Sequence, residues 1–333
     1  MSKLSVIIPT YKCHAYIDRL MASIAMQNMY GEHEFEVVLV NDKCPEGDYK
    51  DTVDFWGRKF NIWEYICKEN GGPGTARRIG MEITDSDYIM FADSDDAFMS
   101  DVVFENMMKI MDETDNDIVL GKFVEETKNH DYILHDHDLV WVFAKIYRRK
   151  FLNDNGITFN DTRANEDTGF NTLCGGLTEK IASIEDPVYM WHYQPNTITR
   201  INEHAYTHGD GFRGCFYNHA WAYTELHNRG VDITEKVLLF LPKAYYMFED
   251  MWKNGKDEEK EINCQYVYDF FAAVVNPMLE EGLTYSDIMT YAHKYMTQFP
   301  CSIVPEHTFF DFLNVNDALV KAQENENKLK EEN

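Results

Sequence analysis

An apolar run from Tyr88 to Ala92 ends in Asp93, Ser94, Asp95 and Asp96. Three carboxylates within four residues repel one another, so the cluster needs a cation or full hydration. Hard divalent cations take oxygen ligands, and Mg2+ binds through one or two carboxylates together with substrate phosphates. Asp95 is the expected direct ligand, and Asp93 is expected to face a nucleotide ribose. A solvated acidic turn capping the next helix would show the same residues. This stretch alone does not choose between the two.

Four other groups have the chemistry to join such a site. Asp42 closes a run of valine and leucine, where it can accept an N–H from a pyrimidine base, a ribose hydroxyl, or its own Asx turn. Asn70-Gly71-Gly72-Pro73-Gly74 precedes Arg77 and Arg78. Glycines allow close backbone approach, a helix start favours anions, and an arginine adds a charged contact to diphosphate. The loop has neither the Gly-Lys-Ser/Thr of a Walker loop nor GxGxxG spacing. Glu166 and Asp167 are adjacent acids at a helix start, either a general base or simple partners of the helix dipole. His192, between Trp191 and Tyr193, reads as a packed core histidine, a metal ligand or a phosphate donor.

The elements that must carry these groups follow from periodicity. Leu4–Pro9, Phe35–Val40, Ile62–Cys67, Tyr88–Ala92 and Asp117–Phe123 read as strands. Ile17, Leu20, Met21 and Ile24 recur at helical spacing, and Thr75–Ile83 resumes as helix after the glycine turn. Ser100 is placed to cap a helix through Val103, Met107 and Met111. Strands alternating with helices predict βαβ units and a mainly parallel sheet. Three of the strands end on polar residues, which then share one rim. In an open α/β sheet, ligands bind at that rim.

Beyond Asn202 the texture changes. Aromatic residues and methionines crowd at helical spacing among acids, and a helical region is expected over residues 202–320. Gly255–Glu261 reads as a charged loop within it. Residues 321–333, rich in Glu, Asn and Lys, read as a frayed or disordered tail.

The chain has 333 residues, 44% hydrophobic and 14% aromatic, ample for a packed core. No apolar run approaches the ~20 residues of a membrane span. The N-terminus lacks the layout of a signal peptide, and a cytoplasmic protein without a membrane span is expected. The net charge of −26 repels nucleic acid and anionic lipid unless a local basic patch intervenes. The only basic triplet, Arg148-Arg149-Lys150, reads as a solvated helix surface. The seven cysteines are scattered without a CxxC pair and read as free thiols.

Taken together, these motifs resemble family-two glycosyltransferases of GT-A fold. Ser5–Tyr11 resembles the opening strand, which implies Pro9, Thr10 and Tyr11 at the donor site. Val38–Asp42 resembles the segment whose aspartate holds uracil. Asn70, Gly72, Gly74, Ala76 and Arg77 match the nucleotide loop, and Phe91–Asp96 matches the DxD motif. Ala144–Arg149, Gly156–Phe159 and Glu166-Asp167 resemble the acceptor-side segment. Tyr193 with Asn196–Arg200 resembles the end of the catalytic domain, although Asn196-Thr197 stands where relatives often show serine. The resemblance implies an α/β GT-A fold, a Rossmann-like mixed sheet over residues 1–201.

The resemblance further implies transfer of a sugar, with inversion, from a nucleotide-diphosphate donor such as a UDP-sugar to a hydroxyl acceptor. A glycan or wall polymer is the expected acceptor. Mn2+ or Mg2+ is the expected cofactor, held by Asp95 and His192. Arg77 or Lys145 would stabilise the departing diphosphate, and Asn70, Gly72, Asp93 and Ser94 would line the donor site. Asp167 would take the acceptor proton, with Glu166 as second candidate. Three alternatives stay open: transfer to a hydroxylated base in DNA, so that nucleic acid enters only as acceptor; a nucleotidyltransferase; and a non-catalytic sugar-nucleotide binding protein.

Overall fold

A computed structural model describes residues 2–28, 35–195, 197, 200, 204–284 and 286–288. Tail residues 321–333, most of Asn196–Arg200 and residues 289–320 of the expected helical region lie outside them. The chain divides into two compact units, residues 1–197 and 198–333, against an expected boundary after 201.

The strands of the first unit are β1 (Leu4–Thr10), β2 (Phe35–Asn41), β3 (Asn61–Ile66), β4 (Tyr88–Phe91), β5 (Ala97–Phe98), β6 (Ile118–Glu126), β7 (Tyr132–His135), β8 (Lys145–Arg148) and β9 (Ile181–Trp191). They form one sheet in the order β3-β2-β1-β4-β8-β6-β9-β5, with β7 paired to β6 beyond the end of β8. Its first four strands are parallel. Both faces of a parallel sheet are covered, which is why Val6–Ile8 and Val37–Val40 are apolar without alternation and almost wholly buried.

The sheet is mixed rather than mainly parallel. Strand β8 runs antiparallel between β4 and β6, while β9 is parallel to β6. Strands β1, β2, β4, β6 and β9 therefore point the same way. Their carboxyl ends gather Tyr11, Asp42, Asp93, Glu126 and His192 on one rim.

The first unit's helices are α1 (Ile17–Ala25), α2 (Lys50–Trp56), α3 (Gly72–Ile83), α4 (Val103–Glu113), α5 (Arg149–Asp154) and α6 (Glu166–Leu177). The expected Ser100 cap is not formed. Helix α4 starts at Val103 with no side-chain cap of its own. Gln27 serves instead: its Oε1 accepts the Phe104 N–H at 3.1 Å, and its Nε2 donates to the Ser100 carbonyl at 2.7 Å.

The basic triplet is also not a solvated surface. Arg149 is buried and donates to the carbonyls of Ser86 and Met81 and to the Thr84 hydroxyl. Arg148 donates to the carbonyls of Asn116, Met111 and Thr114. Both guanidiniums satisfy backbone acceptors that would otherwise lack partners where helices and loops end. Only Lys150 stays on the surface, paired with Asp154 one helical turn on.

The second unit is helical over its described length. It contains α7 (Gly209–Asn228), α8 (Thr234–Asn254) and α9 (Asp257–Phe270), which continues through a π turn at Phe271–Val275 into α10 (Asn276–Glu280). The expected charged loop at 255–261 is helical from Asp257. Asp257, Glu258 and Glu259 occupy the first turn of α9, where acids complement the exposed N–H groups. Phe212, Phe216, Phe240 and Phe270 pack mutually, mostly edge-on, at the centre. His219 stacks on Phe240 at 3.8 Å, and burial pushes its pKa down to about 3, so it is a neutral core residue.

Candidate active site

At the end of β2, the Asp42 carboxylate is buried and points into the glycine loop. It accepts the N–H groups of Gly71 and Gly72 and the Asn70 amide, all at 2.8 Å. Three of its roughly four acceptor sites are thus taken by the loop. Burial raises its pKa, partly opposed by the two glycine N–H groups and by the charge of Arg163. Asp42 and Asn70 are therefore brought together as the lock that shapes the loop. Thr10 at the end of β1 is buried and accepts the Asp42 N–H through its carbonyl, Pro9 is part-buried, and Tyr11 stands 45% exposed just beyond them.

The glycine loop opens directly into α3. Gly72 holds φ +85°, where a side chain would be strained. A Cβ on Gly74 would lie 2.5 Å from the Asn160 carbonyl oxygen and 3.0 Å from Glu166. The bare backbone at Gly74 lets α3 approach the segment that leads into α6.

One turn further along α3, Arg77 joins the two halves of the rim. Its guanidinium donates to Asp93 at 2.7 Å and to Glu166 at 2.5 Å, while lying 5.9 Å from the Phe159 ring centroid. Arg77 and Glu166 are both nearly inaccessible to solvent. Burial opposes the charge on Arg77, but Asp93 and Glu166 prevail and hold its pKa above the ordinary value. Arg77 is thus spent on two protein carboxylates.

Asp167 follows Glu166 in the first turn of α6. It is half-buried, and its Oδ1 accepts the Thr168 N–H at 2.8 Å. Burial and the neighbouring Glu166 charge push its pKa up to about 7, against the attraction of Arg77. Asp167 is therefore held well above the ordinary aspartate range.

Around the acidic turn, the Asp93 N–H donates to the buried Tyr189 hydroxyl at 2.9 Å. Arg19 on α1 donates to the Asp95 carbonyl. Ser94 reaches the buried Cys13 thiol. Asp96 is fully buried, and its Oδ1 accepts the His192 N–H at 2.9 Å. Burial, then the charges of Asp95 and Asp93, hold the Asp96 pKa well above the carboxylate range.

His192 is fixed by Glu126. Its Nδ1 lies 2.9 Å from Glu126 Oε2, while His130 Nδ1 lies 2.6 Å from Oε1. The hydrogen bond from His130, joined by those from His192 and the Tyr193 N–H, lowers the Glu126 pKa to about 2 against the effect of burial. Burial lowers the His192 pKa more than Glu126 raises it, favouring a neutral ring. A neutral imidazole that donates Nδ1–H to a carboxylate presents Nε2 as a lone pair, the arrangement of a metal-binding histidine.

Lys145 is buried in β8 and lies 3.3 Å from both Asp138 Oδ1 and the Phe143 carbonyl. Burial lowers its pKa, opposed by Asp138 and by the more distant Asp167. Its ammonium is committed to Asp138 rather than open to a phosphate. The sequence reading missed Arg19, Glu126, Asp138 and Tyr189. None sits in a recognisable motif: Glu126, Asp138 and Tyr189 are placed by the pairing of β6, β8 and β9, and Arg19 by the packing of α1 against the acidic turn.

The acidic turn offers oxygen donors to a divalent cation, since the buried Asp96 Oδ2 has no hydrogen-bond partner among the described residues, and Glu126 orients His192. The side chains of Asp93, Asp95, Asp96 and His192 do not, however, bring three ligand atoms within 4.8 Å of one another. Among those residues, no helix is long and apolar enough to cross a membrane.

The chain is similar in sequence and fold to glycosyltransferases. The uncharacterized glycosyltransferase EpsJ of Bacillus subtilis is 25% identical over 246 residues, 65% of this chain and 70% of that protein. The poly(ribitol-phosphate) beta-N-acetylglucosaminyltransferase TarS of Staphylococcus aureus is 28% identical over 207 residues, 57% of this chain but only 35% of TarS. The crystal structure of TarS 1–349 in complex with UDP-GlcNAc superposes with a TM-score of 0.70 at 21% identity, covering 96% of this chain and 92% of that one, and so shares its fold. Residues 5–165 match the family described as Glycosyl transferase family 2.

Proposed function

We propose that the protein transfers a sugar, with inversion, from a UDP-sugar to a hydroxyl group of a surface glycan or polyol wall polymer. The observation that carries this reading is Arg77, which ties Asp93 of the acidic turn to Glu166 beside Asp167. A donor held at the acidic turn is thereby set next to the group that activates the acceptor. The TarS relative acts on poly(ribitol-phosphate), which supports a wall polymer as acceptor.

In this mechanism the acceptor oxygen attacks the anomeric carbon as the bond to the donor's diphosphate oxygen breaks. The transition state has oxocarbenium character, as in glycoside hydrolysis. Asp167 takes the acceptor proton. A base whose pKa lies near the working pH combines a useful ionised fraction with real basicity. Glu166, tied to Arg77, positions α6 instead of accepting the proton. Asp95 and His192 would hold Mn2+ or Mg2+, which when bound neutralises charge on the departing diphosphate. Asp42 shapes the donor loop through Gly71 and Gly72. Arg77 holds Asp93 in place.

The test is a panel of nucleotide sugars scored by nucleoside diphosphate release. Release from one UDP-sugar, increased by a polymer acceptor, is expected. Release of pyrophosphate from a nucleoside triphosphate, with no nucleotide sugar consumed, would overturn the reading.

A further inference from the structure

The helical unit carries a ligating cluster of its own. His204 and His208, four residues apart, flank the turn that leads into α7. Their rings stack at 4.6 Å with an interplanar angle of 6°. Both converge on Asp250, in the last turns of α8. His204 Nδ1 lies 2.9 Å and His208 Nε2 3.3 Å from the same carboxylate oxygen, Oδ2. The Thr207 hydroxyl donates to that oxygen as well, while Oδ1 accepts the Asn254 amide at 2.8 Å.

Oδ2 is thus bonded by His204 and Thr207, whereas His208 Nε2, also close to it, makes its hydrogen bond to the Asp250 backbone carbonyl at 3.4 Å. A cation among the two imidazoles and the carboxylate would be met by a lone pair from each of the three side chains. The spacing suits such an ion. Bonds of about 2.0–2.1 Å in tetrahedral geometry put ligand atoms roughly 3.3 Å apart. The three ligand atoms here all lie within 4.8 Å of one another, and the two imidazole–carboxylate separations, 2.9 and 3.3 Å, lie close to that edge. Two imidazoles and one carboxylate favour zinc-class ions over Mg2+ and Ca2+, which take oxygen ligands.

We propose that His204 Nδ1, His208 Nε2 and Asp250 Oδ2 form a Zn2+ site, with a fourth position for water, that fastens the turn before α7 to the end of α8. The site is separate from the residues assigned to the donor and does not depend on the proposed transfer reaction. Its role is structural: it closes a loop of more than forty residues between its ligands, and a bound ion adds stability by mass action.

The test uses the full chain, stripped with chelator and titrated with Co2+ in an Asp95→Ala background that removes the proposed donor-side ligand. One equivalent of Co2+ should bind with visible ligand-field absorption and without a thiolate charge-transfer band. That band would instead mark the cluster of His14, Cys44 and Glu46. Zn2+ should displace the Co2+ and raise the melting temperature. His208→Ala and Asp250→Ala should each weaken Zn2+ binding at least about 100-fold and abolish the thermal shift. His208→Gln keeps a donor toward Asp250 but is a poor zinc ligand, so it should fold normally and still lose the ion. No saturable uptake, a thiolate band, or uptake unchanged in His208→Gln would overturn the site.

Discussion

At the scale of single residues, the base role proposed for Asp167 and its cost to stability rest on the same raised pKa. With a pKa of about 7, it is half ionised near neutrality, so kcat/KM should rise with pH through about 7 and then level. A profile flat from pH 5 to 9 would remove Asp167 as the base. Asp167→Asn should lower kcat by about 10²–10⁴, the usual contribution of a general base, with donor affinity retained. The same substitution should stabilise the fold, and the sign follows from linkage. Below its unfolded pKa of 3.8 the carboxyl is protonated in both states. As pH rises towards 7 the unfolded chain ionises first, and folding loses free energy. Asparagine does not titrate, so the variant should be the more stable at pH 8, with the difference shrinking as pH falls and vanishing only below the unfolded pKa, at about pH 2–3. Denaturant titrations across this pH range would measure this. Arg77 shows the opposite balance: Arg77→Ala would leave Glu166 buried without its counter-charge, at a cost of about 3–5 kcal/mol.

At the scale of elements, the site depends on how closely α3 approaches the start of α6. Gly74→Ala tests that approach. Its Cβ would meet the Asn160 carbonyl, a backbone atom that can move only with its whole segment. Displacing Glu166 by about 1 Å relative to Arg77 should cost about 10²-fold in kcat, because transfer requires the two halves in register. Steady-state kinetics within tenfold of the unsubstituted chain would show that α6 tolerates the shift. The strands that end at Thr10, Asn41 and Phe91 were legible in sequence because buried parallel strands are continuous apolar runs closed by polar residues. Strand β9 was not, since Ile181–Trp191 contains Glu185, Asp186 and Pro187 and lies partly exposed. Its pairing with β6 carries a register shift between Gly121 and Phe123. The carboxylates could be found from their clustering, but not their partners. Nothing in the spacing of Glu126 and His192, or of Lys145 and Asp138, sets them side by side until β6, β8 and β9 pair.

At the scale of the whole molecule, the net charge of −26 bears on the acceptor. A polymer of ribitol phosphate is a polyanion, and a strongly acidic chain repels it at a distance. The basic triplet offers no relief, because Arg148 and Arg149 are bound to backbone carbonyls. Long-range repulsion between exposed charges weakens as the Debye length falls from ~30 Å at 0.01 M salt to ~8 Å at 0.15 M. With a phosphate-bearing polymer, kcat/KM should therefore rise as salt is added over that range. With a neutral glycan of matched length it should stay nearly flat, because no charge on the acceptor is screened. Donor hydrolysis without acceptor, measured in the same buffers, removes any salt effect on nucleotide binding. A fall in kcat/KM with salt for the phosphate polymer would mean that a local basic face outweighs the global charge and draws the acceptor in. The slope thus separates the two acceptor chemistries, and it is set by the charge of the whole chain rather than by any residue in the site.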